Sequence, residues 1–428
     1  MQLIILVASL VWLFALFVYG TKNTHYIFTI IAFLYLTPFA TNIQISGIGL
    51  PLVIEVVLLV IFSVKFINQR DIIAFKWSGH KDVVTLLIFF ILLLFSHIFF
   101  GDYGKVHPRS YTAPAIIHMS IMIAAIAFGM GHYKHPEPML KIIMWMLRLN
   151  VYIGLVVMLF GNYVGHEKII IDTPVTRQIG FNPNELAIIA IILIVIELFL
   201  IKKGENNPIM LLVPILTNLL TVSRGGIILL SLTLVIWFIK GKRVVIPILF
   251  SFAIIALIIQ TPDIEIINRF TEIEQEHGGV ENLKRYKLLM RGILVFLDNP
   301  VFGIGVGSFY KTRMSYGIEY YGGKFGDAHN MYVQVLLETG IIGGIIFAIF
   351  VYHLIRNIQR LKYFEPRLYS FAITLLFVFL SSAMFTDDVY RFSIYLPIFV
   401  ISWYAVTQYR ITHTDRPLNR IEKPIINN

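Results

Sequence analysis

The stretch GDAHNMYVQVLLETGIIGG, residues 326–344, decides the fold and also raises the question of function. It opens an apolar run that continues to residue 354, which is long enough to cross a bilayer because a span needs about 20 mostly apolar residues. Its start nevertheless carries an aspartate, a histidine and an asparagine, and the run itself holds a glutamine and a glutamate. Polar groups within a span are costly and usually functional, so the start of this span is a candidate site.

The composition of the whole chain is that of a membrane protein. Hydrophobic residues make up 57% of the 428 residues and charged residues only 14%, whereas soluble domains contain about 25% charged residues. The absence of cysteine excludes disulfides and thiolate metal sites. The net charge of +10 is interpreted through the sidedness of membrane loops, and no nucleic-acid partner is expected.

The apolar runs predict an all-α, polytopic integral membrane helix bundle with about 12–13 transmembrane helices. We expect residues 1–260 to hold the first ten spans, 261–328 to form one large external loop, and 329–428 to hold the C-terminal spans and a short tail. The candidate spans are 3–18, 27–39, 49–66, 83–99, 112–130, 142–160, 184–201, 208–220, 225–239, 244–259, 329–354, 368–384 and 392–407. The first is expected to be a retained span, since it lacks the basic start and cleavage site of a signal peptide.

The distribution of Lys and Arg predicts the orientation of these spans. Most basic residues fall in segments that share one side if the spans alternate, and the positive-inside bias makes that side cytoplasmic. These segments are 65–81, 134–141, 202–203, 240–243, 356–367 and the tail after residue 409. The large loop is therefore expected to be external.

Within that loop, ENLKRYKLLMRGILVFLDNP, residues 281–300, predicts an amphipathic helix along the membrane surface. Lys284, Lys287 and Arg291 share one face, which favours contact with lipid headgroups, and Arg285 lies one step around from them. The Asn-Pro pair at 299–300 is expected to end the helix. The following GIGVGSF, residues 303–309, predicts a tight external turn, because a dinucleotide-binding glycine run would follow a strand.

Two polar segments stand at the starts of other spans. In TPVTRQIGFNPNELA, Arg177 is either a snorkelling interfacial residue or a ligand, and Asn184 is either a helix N-cap or a substrate contact. In LTNLLTVSRGGIILL, Arg224 occupies a short turn between two apolar segments. A guanidinium at that depth favours anion binding over a purely structural turn.

The opening stretch allows two interpretations of its histidine. Asp327 or Ala328 is a plausible helix start with Asp327 as N-cap, so that His329 would lie in the first turn and meet a cavity. Gln334 and Glu338 are four residues apart and share a helical face, and Glu338 is expected to tie the helix into the bundle. Taken alone, this pattern favours an interfacial imidazole without chemistry for His329.

Taken together, four segments resemble the O-antigen ligase and polymerase superfamily of cell-envelope glycosyltransferases. They are GFNPNELA before a span, TVSRGG at a span entrance, RYKLLMRGILVFLDNPVFGIGVGSF in the large loop, and HNMYVQVLLETGIIGG. The similarity covers residues 177–344. One departure is that the family often has a Trp a few residues after the position of Arg285, where this chain has Leu288 and Leu289.

The resemblance implies transfer of a glycan from undecaprenyl diphosphate to an acceptor hydroxyl at the outer face of the bacterial inner membrane. It implies His329 as the general base and Arg224 as the catalytic cation, with no metal and no cofactor. Further expected residues are Arg177, Arg285, Asn184 and Asn330 as diphosphate or substrate ligands, and Gln334 and Glu338 as structural support. The expected partners are the lipid-linked glycan, an acceptor glycan or lipid A-core, membrane lipids and other polysaccharide-assembly proteins.

The acceptor separates two reactions within this superfamily. A polymerase uses another lipid-linked repeat unit, and a ligase uses lipid A-core; we favour the polymerase because the first half of the chain shows no feature specific to lipid A-core. A secondary transporter or flippase is the alternative from another class. It predicts inverted repeats and charged residues at mid-membrane on discontinuous helices.

Overall fold

The computed structural model describes residues 44–45, 48–49, 81–100, 137–160, 163–164, 167–168, 183–221, 223–239, 278–306, 308–309, 328, 330–384 and 396–414. The helices of these residues are α1 (Lys81–Phe100), α2 (Glu137–Phe160), α3 (Pro183–Lys203), α4 (Leu212–Leu220), α5 (Arg224–Ile239), α6 (Gly278–Asp298), α7 (Met331–Phe364), α8 (Pro366–Ser382) and α9 (Leu396–Thr414). A 3-10 turn, Pro208–Leu211, leads into α4. Two antiparallel two-residue ladders pair β1 (Gln44–Ile45) with β2 (Ile48–Gly49) and β3 (Tyr163–Val164) with β4 (Glu167–Lys168).

The fold is an all-α membrane helix bundle, as the apolar runs predict. Three helices of the described residues are long and apolar enough to cross a membrane: Pro138–Val156, Asn184–Lys203 and Met331–Phe364. Shorter apolar helices occupy Val84–Leu93, Pro208–Leu220, Gly225–Phe238, Pro366–Ser382 and Leu396–Val406. The predicted spans 3–18, 27–39, 112–130 and 244–259, and all of the predicted span 49–66 except its first residue, lie outside the described residues. The total of 12–13 spans and the division into three regions therefore remain predictions.

Contacts near the helix ends show that α3 is antiparallel to both α2 and α8. In α2 and α3, Arg148 contacts Glu197, while a Cβ at Gly154 would lie 2.6 Å from a methyl carbon of Leu186, so the two helices are antiparallel. The Phe199 and Phe371 rings stack at 4.4 Å near the end of α3 and the beginning of α8, which makes these two antiparallel as well.

The helix α1 is likewise antiparallel to the first half of α7, because two contacts join them in opposite order. Phe89 and Phe347 have ring centroids 5.5 Å apart. Ser96 Oγ donates a hydrogen bond of 2.9 Å to the main-chain oxygen of Glu338. Because these contacts join the start of one helix to the end of another, the helix ends lie at two opposite faces of the bundle.

We name these two faces by their residues. The basic end carries Lys81, Lys141, Lys203 and Arg367, and the site end carries Ser96, Asn184, Arg224 and Asn330. The basic residues of these helices thus lie at one end of the described bundle, and the side of the membrane that this end faces remains a prediction.

Helix α3 lies at the centre of the described bundle. Its residues from Glu185 to Leu200 are all buried, and a helix that is apolar all round belongs in such a position. It packs against α2, α4, α5 and α8. Because α3 starts at Pro183, Asn184 lies at the site end, at the start of this central helix.

Candidate active site

The start of α7 is closed by Asn330, which adopts an extended backbone with φ of −153° and caps the helix. Its Oδ1 accepts hydrogen bonds from the main-chain N–H groups of Tyr332 (3.0 Å) and Val333 (3.1 Å). Asp327 is therefore not the cap, and His329 precedes the helix instead of lying in its first turn. Asn and Asp are both strong N-cap residues, so residue type alone does not distinguish Asn330 from Asp327 three residues earlier. His329 itself lies outside the described residues.

The beginning of α7 is anchored to the end of α8. The N–H of Met331 donates to the carbonyl of Ala383 at 2.9 Å, and Tyr332 Oη donates to the carbonyl of Leu380 at 2.8 Å. The Asn330 Nδ2 lies 3.4 Å from the carbonyl oxygen of Met384. The start of α7 and the end of α8 are thus joined directly by three hydrogen bonds.

Gln334 and Glu338 share one face of α7, as predicted from their spacing, and both are fully buried. Gln334 Nε2 donates to Glu338 Oε1 at 2.6 Å. The Oε1 of the same amide accepts from the N–H of Ala328 at 2.9 Å. A buried amide with both ends bonded is inexpensive, whereas an unsatisfied one would cost about 1–3 kcal/mol.

Helix α7 is broken at Gly340, where φ is 64° and ψ is −165°. The turn after α6 fills the break: the N–H groups of Ile304 and Gly305 donate to the carbonyls of Leu337 (2.9 Å) and Glu338 (3.1 Å). The N–H of Ile341 donates in return to the carbonyl of Pro300 at 2.8 Å. The predicted glycine turn is thus present, and it is packed backbone to backbone against a helix.

Gly303 permits this close approach. Its φ is 69°, and a Cβ there would lie 2.4 Å from the carbonyl carbon of Glu338. Any larger residue would have to displace main-chain atoms of α7, because no flexible side chain stands between the two backbones. The glycine run therefore serves contact between two segments and not phosphate binding at this position.

The helix α6 confirms that the segment predicted to be an amphipathic helix is helical, and it ends before Asn299–Pro300 as expected. Its Gly292 lies against the start of α7, where a Cβ would be 2.8 Å from Val333 and 3.3 Å from Ala328. Its outer side exposes the apolar residues Met290, Leu294 and Leu297. Arg285 is placed within α6, but its side chain lies outside the described residues, as do those of Lys284 and Lys287. The position of α6 along a membrane surface remains a prediction.

A second cluster joins the starts of α3 and α5. Ser223 Oγ donates to Asn184 Oδ1 at 2.8 Å and accepts from the N–H of Gly226 at 3.1 Å, so that Ser223 caps α5. Asn184 is the second residue of α3, which begins at Pro183, and it is therefore not an N-cap. Gly226 brings the helices together, because a Cβ there would lie 2.7 Å from the Cβ of Ala187.

Arg224 is the first residue of α5, in the short turn predicted between two apolar segments. Only its backbone is described. The first N–H groups of a helix carry partial positive charge, and anions bind there readily. The starts of α3 and α5 therefore lie side by side next to the backbone of Arg224, together with the buried Glu185 in the first turn of α3.

The start of α7 and the joined starts of α3 and α5 both lie at the site end, because α8 contacts all three helices. Helix α8 packs against α3 and α5, and its last turn holds the start of α7. The structure thus brings Asn184 and the Arg224 backbone to the same end of the bundle as Asn330, Gln334 and Glu338. Arg177 lies outside the described residues, and no distance between a guanidinium and His329 is defined.

Sequence analysis missed Ser223, although a serine directly before an apolar helical run is a typical N-cap signal. It also missed a buried ion pair between Arg148 and Glu197, whose Nε and Oε1 lie 2.6 Å apart. Asn206 donates to the other oxygen of Glu197. The signal was present, since two opposite charges stand alone within two apolar runs, but their pairing depends on the packing of α2 on α3.

Residues 209–348 match the family model Wzy_C, described as O-antigen ligase. The match spans the segment from the 3-10 turn through α5 and α6 to the middle of α7, about a third of the chain, and it confirms the predicted resemblance to the O-antigen ligase and polymerase superfamily. Arg224, Arg285 and His329 lie inside the matched region, whereas Arg177 and Asn184 precede it. No curated protein matches the chain.

Proposed function

We propose that this membrane protein is a glycosyltransferase that moves a glycan from undecaprenyl diphosphate to an acceptor hydroxyl in cell-surface polysaccharide assembly. The family match supports an enzyme of the O-antigen ligase type. The observation that carries the proposal further is the Ser223–Asn184 hydrogen bond, which joins the starts of two helices and puts Arg224 at their meeting point. A diphosphate is the anionic part of the donor that such a region would bind.

In the proposed reaction, His329 removes the proton of the acceptor hydroxyl, since imidazole titrates near neutral pH. The hydroxyl oxygen forms a new bond to the anomeric carbon while the bond from that carbon to the diphosphate oxygen breaks. The leaving diphosphate keeps the electron pair. Attack from the face opposite to the leaving group inverts the anomeric centre.

The negative charge that develops on the diphosphate requires cationic donors. Guanidinium groups form forked, charge-assisted hydrogen bonds with phosphate oxygens, and we assign this role to Arg224 together with Arg177 or Arg285. Donors that are already aligned with the developing charge lower the barrier most. Asn184 and Asn330 are proposed as further substrate contacts, and the reaction is proposed to be metal-independent because the arginines supply the positive charge.

Reconstitution of the purified protein with a labelled lipid-diphosphate glycan and candidate acceptors tests the proposal. We expect His329→Ala and Arg224→Ala to insert normally but to form no product. His353→Ala and Arg356→Ala are matched controls on the half of α7 toward the basic end, and they should retain transfer. Normal product from either site variant would refute the role of that residue, and absence of product from the unaltered protein with every acceptor would refute the function.

The acceptor is proposed to be a second lipid-linked repeat unit, which makes the protein a polymerase. The alternative is a ligase that uses lipid A-core; the matched family model is described as O-antigen ligase. A deletion strain distinguishes the two. Loss of a polymerase leaves single repeat units attached to the cell surface, whereas loss of a ligase leaves the polymer on its carrier.

Among the described residues, the buried Arg148–Glu197 pair and the broken helix α7 favour a transporter or flippase, because transporters carry charged residues at mid-membrane and bind ions at the unwound backbone of discontinuous helices. In this break, however, the carbonyls of Leu337 and Glu338 already accept hydrogen bonds from the turn after α6. We therefore favour the enzyme. Formation of product by protein in detergent, where no gradient exists, would exclude a purely transporting role.

We further propose that the protein lies in the bacterial inner membrane with the site end facing the periplasm. The chain has no cysteine, so single cysteines report sidedness without background. Met384→Cys at the site end and Tyr363→Cys at the basic end are both exposed positions. A membrane-impermeant maleimide that enters the periplasm of intact cells should label the first and not the second, and the reverse result would invert the orientation.

A further inference from the structure

A chain of buried hydrogen bonds connects the break in α7 to the residue that precedes His329. It runs from the Glu338 carboxylate to the side-chain amide of Gln334 (2.6 Å) and from that amide to the main-chain N–H of Ala328 (2.9 Å). Gln334 and Glu338 are 0% exposed and Ala328 is 1% exposed. Solvent therefore does not compete for these bonds.

The donor and acceptor types leave one arrangement for this chain. A main-chain N–H can only donate, so the oxygen of the Gln334 amide must face Ala328. The amide nitrogen is then directed at Glu338, which must accept. The role of Glu338 in this chain is thus that of an acceptor, and it does not require a negative charge.

This arrangement extends an ordinary helix cap. In a capping box the third helical residue reaches back to the N–H of the cap residue. Here Gln334, the fourth residue of α7, reaches back past the cap to Ala328. Asn330 is fixed at the same time by its bonds to the first turn, so that the backbone is held on both sides of His329.

The far end of the chain is also fixed. The main-chain oxygen of Glu338 accepts from Ser96 Oγ of α1 at 2.9 Å and from the N–H of Gly305 at 3.1 Å. Glu338 is therefore anchored by two segments that are distant in sequence. A shift of the Gln334 side chain would therefore break its hydrogen bond to Glu338, because Glu338 is held in place by α1 and by the turn after α6.

We propose that Gln334 and Glu338 are positioning residues that hold the backbone of His329 in the orientation needed for proton removal. The proposal rests on the function assigned above, in which His329 is the base. A displacement of about 1 Å at a reacting group can lower the rate by about 100-fold. Loss of the Gln334 bond should therefore reduce kcat, while the donor, bound elsewhere, keeps its KM.

Exchange of the two residues gives a sharp test. Gln334→Glu leaves an acceptor for Ala328 but sets two carboxyl groups against each other, so kcat should fall. The double variant Gln334→Glu/Glu338→Gln restores a donor and an acceptor in reversed order. We expect it to recover most of the activity, whereas Gln334→Leu should lower kcat by roughly 10- to 100-fold with donor KM changed less than about threefold.

Asn357→Leu is the matched control, because Asn357 is a buried amide on the same helix whose Nδ2 donates to Ser402 Oγ at 3.1 Å near the basic end. It removes a buried amide without touching the site end, and its kcat should stay near that of the unaltered protein. Equal losses in Asn357→Leu and Gln334→Leu would show a general folding effect and would overturn the proposal. A double variant no better than Gln334→Glu would overturn it as well.

Hydrogen exchange at the Ala328 amide supplies a readout that does not depend on activity. We expect protection in the unaltered protein and in the double variant, and its loss in Gln334→Leu. If the protein transfers glycan and His329→Ala abolishes transfer, but Gln334→Leu has normal kcat, only the positioning role fails. If the unaltered protein transfers nothing to any acceptor, the proposed function fails, and this inference fails with it.

Discussion

Replacement of Gly340 by alanine tests whether the break in α7 is required by the fold. The backbone at Gly340, with φ of 64° and ψ of −165°, lies in a region that is essentially restricted to glycine. A Cβ there would lie 2.1 Å from the carbonyl oxygen of Val301 and 2.6 Å from the nitrogen of Phe302. Both atoms belong to the main chain, so neither can rotate away.

The expected loss follows from these two effects. Backbone strain of this kind costs about 1–3 kcal/mol, and overpacking of a tight contact costs about 1–3 kcal/mol. Gly340→Ala should therefore lower the free energy of unfolding by about 2–6 kcal/mol. Denaturant titration of the purified protein in mixed micelles, followed by tryptophan fluorescence and circular dichroism, measures this loss.

Two further alanine variants separate the causes. Gly204 has φ of 79° with no atom within 4 Å of its Cβ position, so Gly204→Ala should show only backbone strain of about 1–2 kcal/mol. At Gly344 the φ is not positive and the nearest atom, at 2.6 Å, is a side-chain methyl carbon of Leu336, so the cost should be less than about 1 kcal/mol. A Gly340→Ala protein as stable as Gly204→Ala would refute the argument that the two backbones require glycine.

Three other outcomes are expected from contacts elsewhere in the bundle. Arg148→Met should lower the free energy of unfolding by about 3–5 kcal/mol, because it leaves Glu197 buried without its cation. The double variant Arg148→Met/Glu197→Leu should recover most of this loss. Equal stability of the single and double variants in the same titration would contradict this. Ser223→Ala should destabilise the protein by about 1 kcal/mol through loss of the α5 cap, and an unchanged denaturation midpoint would argue against that cap. The hydrogen bond from Lys141 lowers the pKa of Glu205 from its usual 4.5. The small contribution of this carboxylate to the free energy of unfolding should therefore be complete above pH 4.5 and lost as the pH falls through the lowered pKa. Glu205→Gln should abolish this pH dependence.

The helices themselves were largely predictable, because each depends on a local run of residues. The predicted spans 83–99 and 225–239 correspond to α1 (Lys81–Phe100) and α5 (Arg224–Ile239). The amphipathic helix ends before the Asn-Pro pair as expected. Hydropathy and helix stop signals act within a few residues, so a linear sequence is sufficient to read them.

The partners of the polar residues were less predictable, because they are set by packing between segments. Asn184 looked like an N-cap, but the helix starts one residue earlier and its side chain accepts from Ser223, which lies 39 residues later. The choice of cap at α7 was local and still ambiguous, since Asp327 and Asn330 are both good caps. The anchoring of α7 to the end of α8 decides in favour of Asn330.

The break in α7 shows most clearly where sequence reasoning ends. Gly340, Gly343 and Gly344 stand in one apolar run, and glycine is common in transmembrane helices, so nothing in the run distinguishes them. Only Gly340 has positive φ, because only there does another backbone, at Val301, press against the helix. The large loop and the last long span therefore specify each other: the turn after α6 occupies the hydrogen-bonding groups that the break frees, and the break in turn leaves room for that turn. A change in either segment should reach the Glu338–Gln334 chain at the site end, since Glu338 belongs to both the break and the chain.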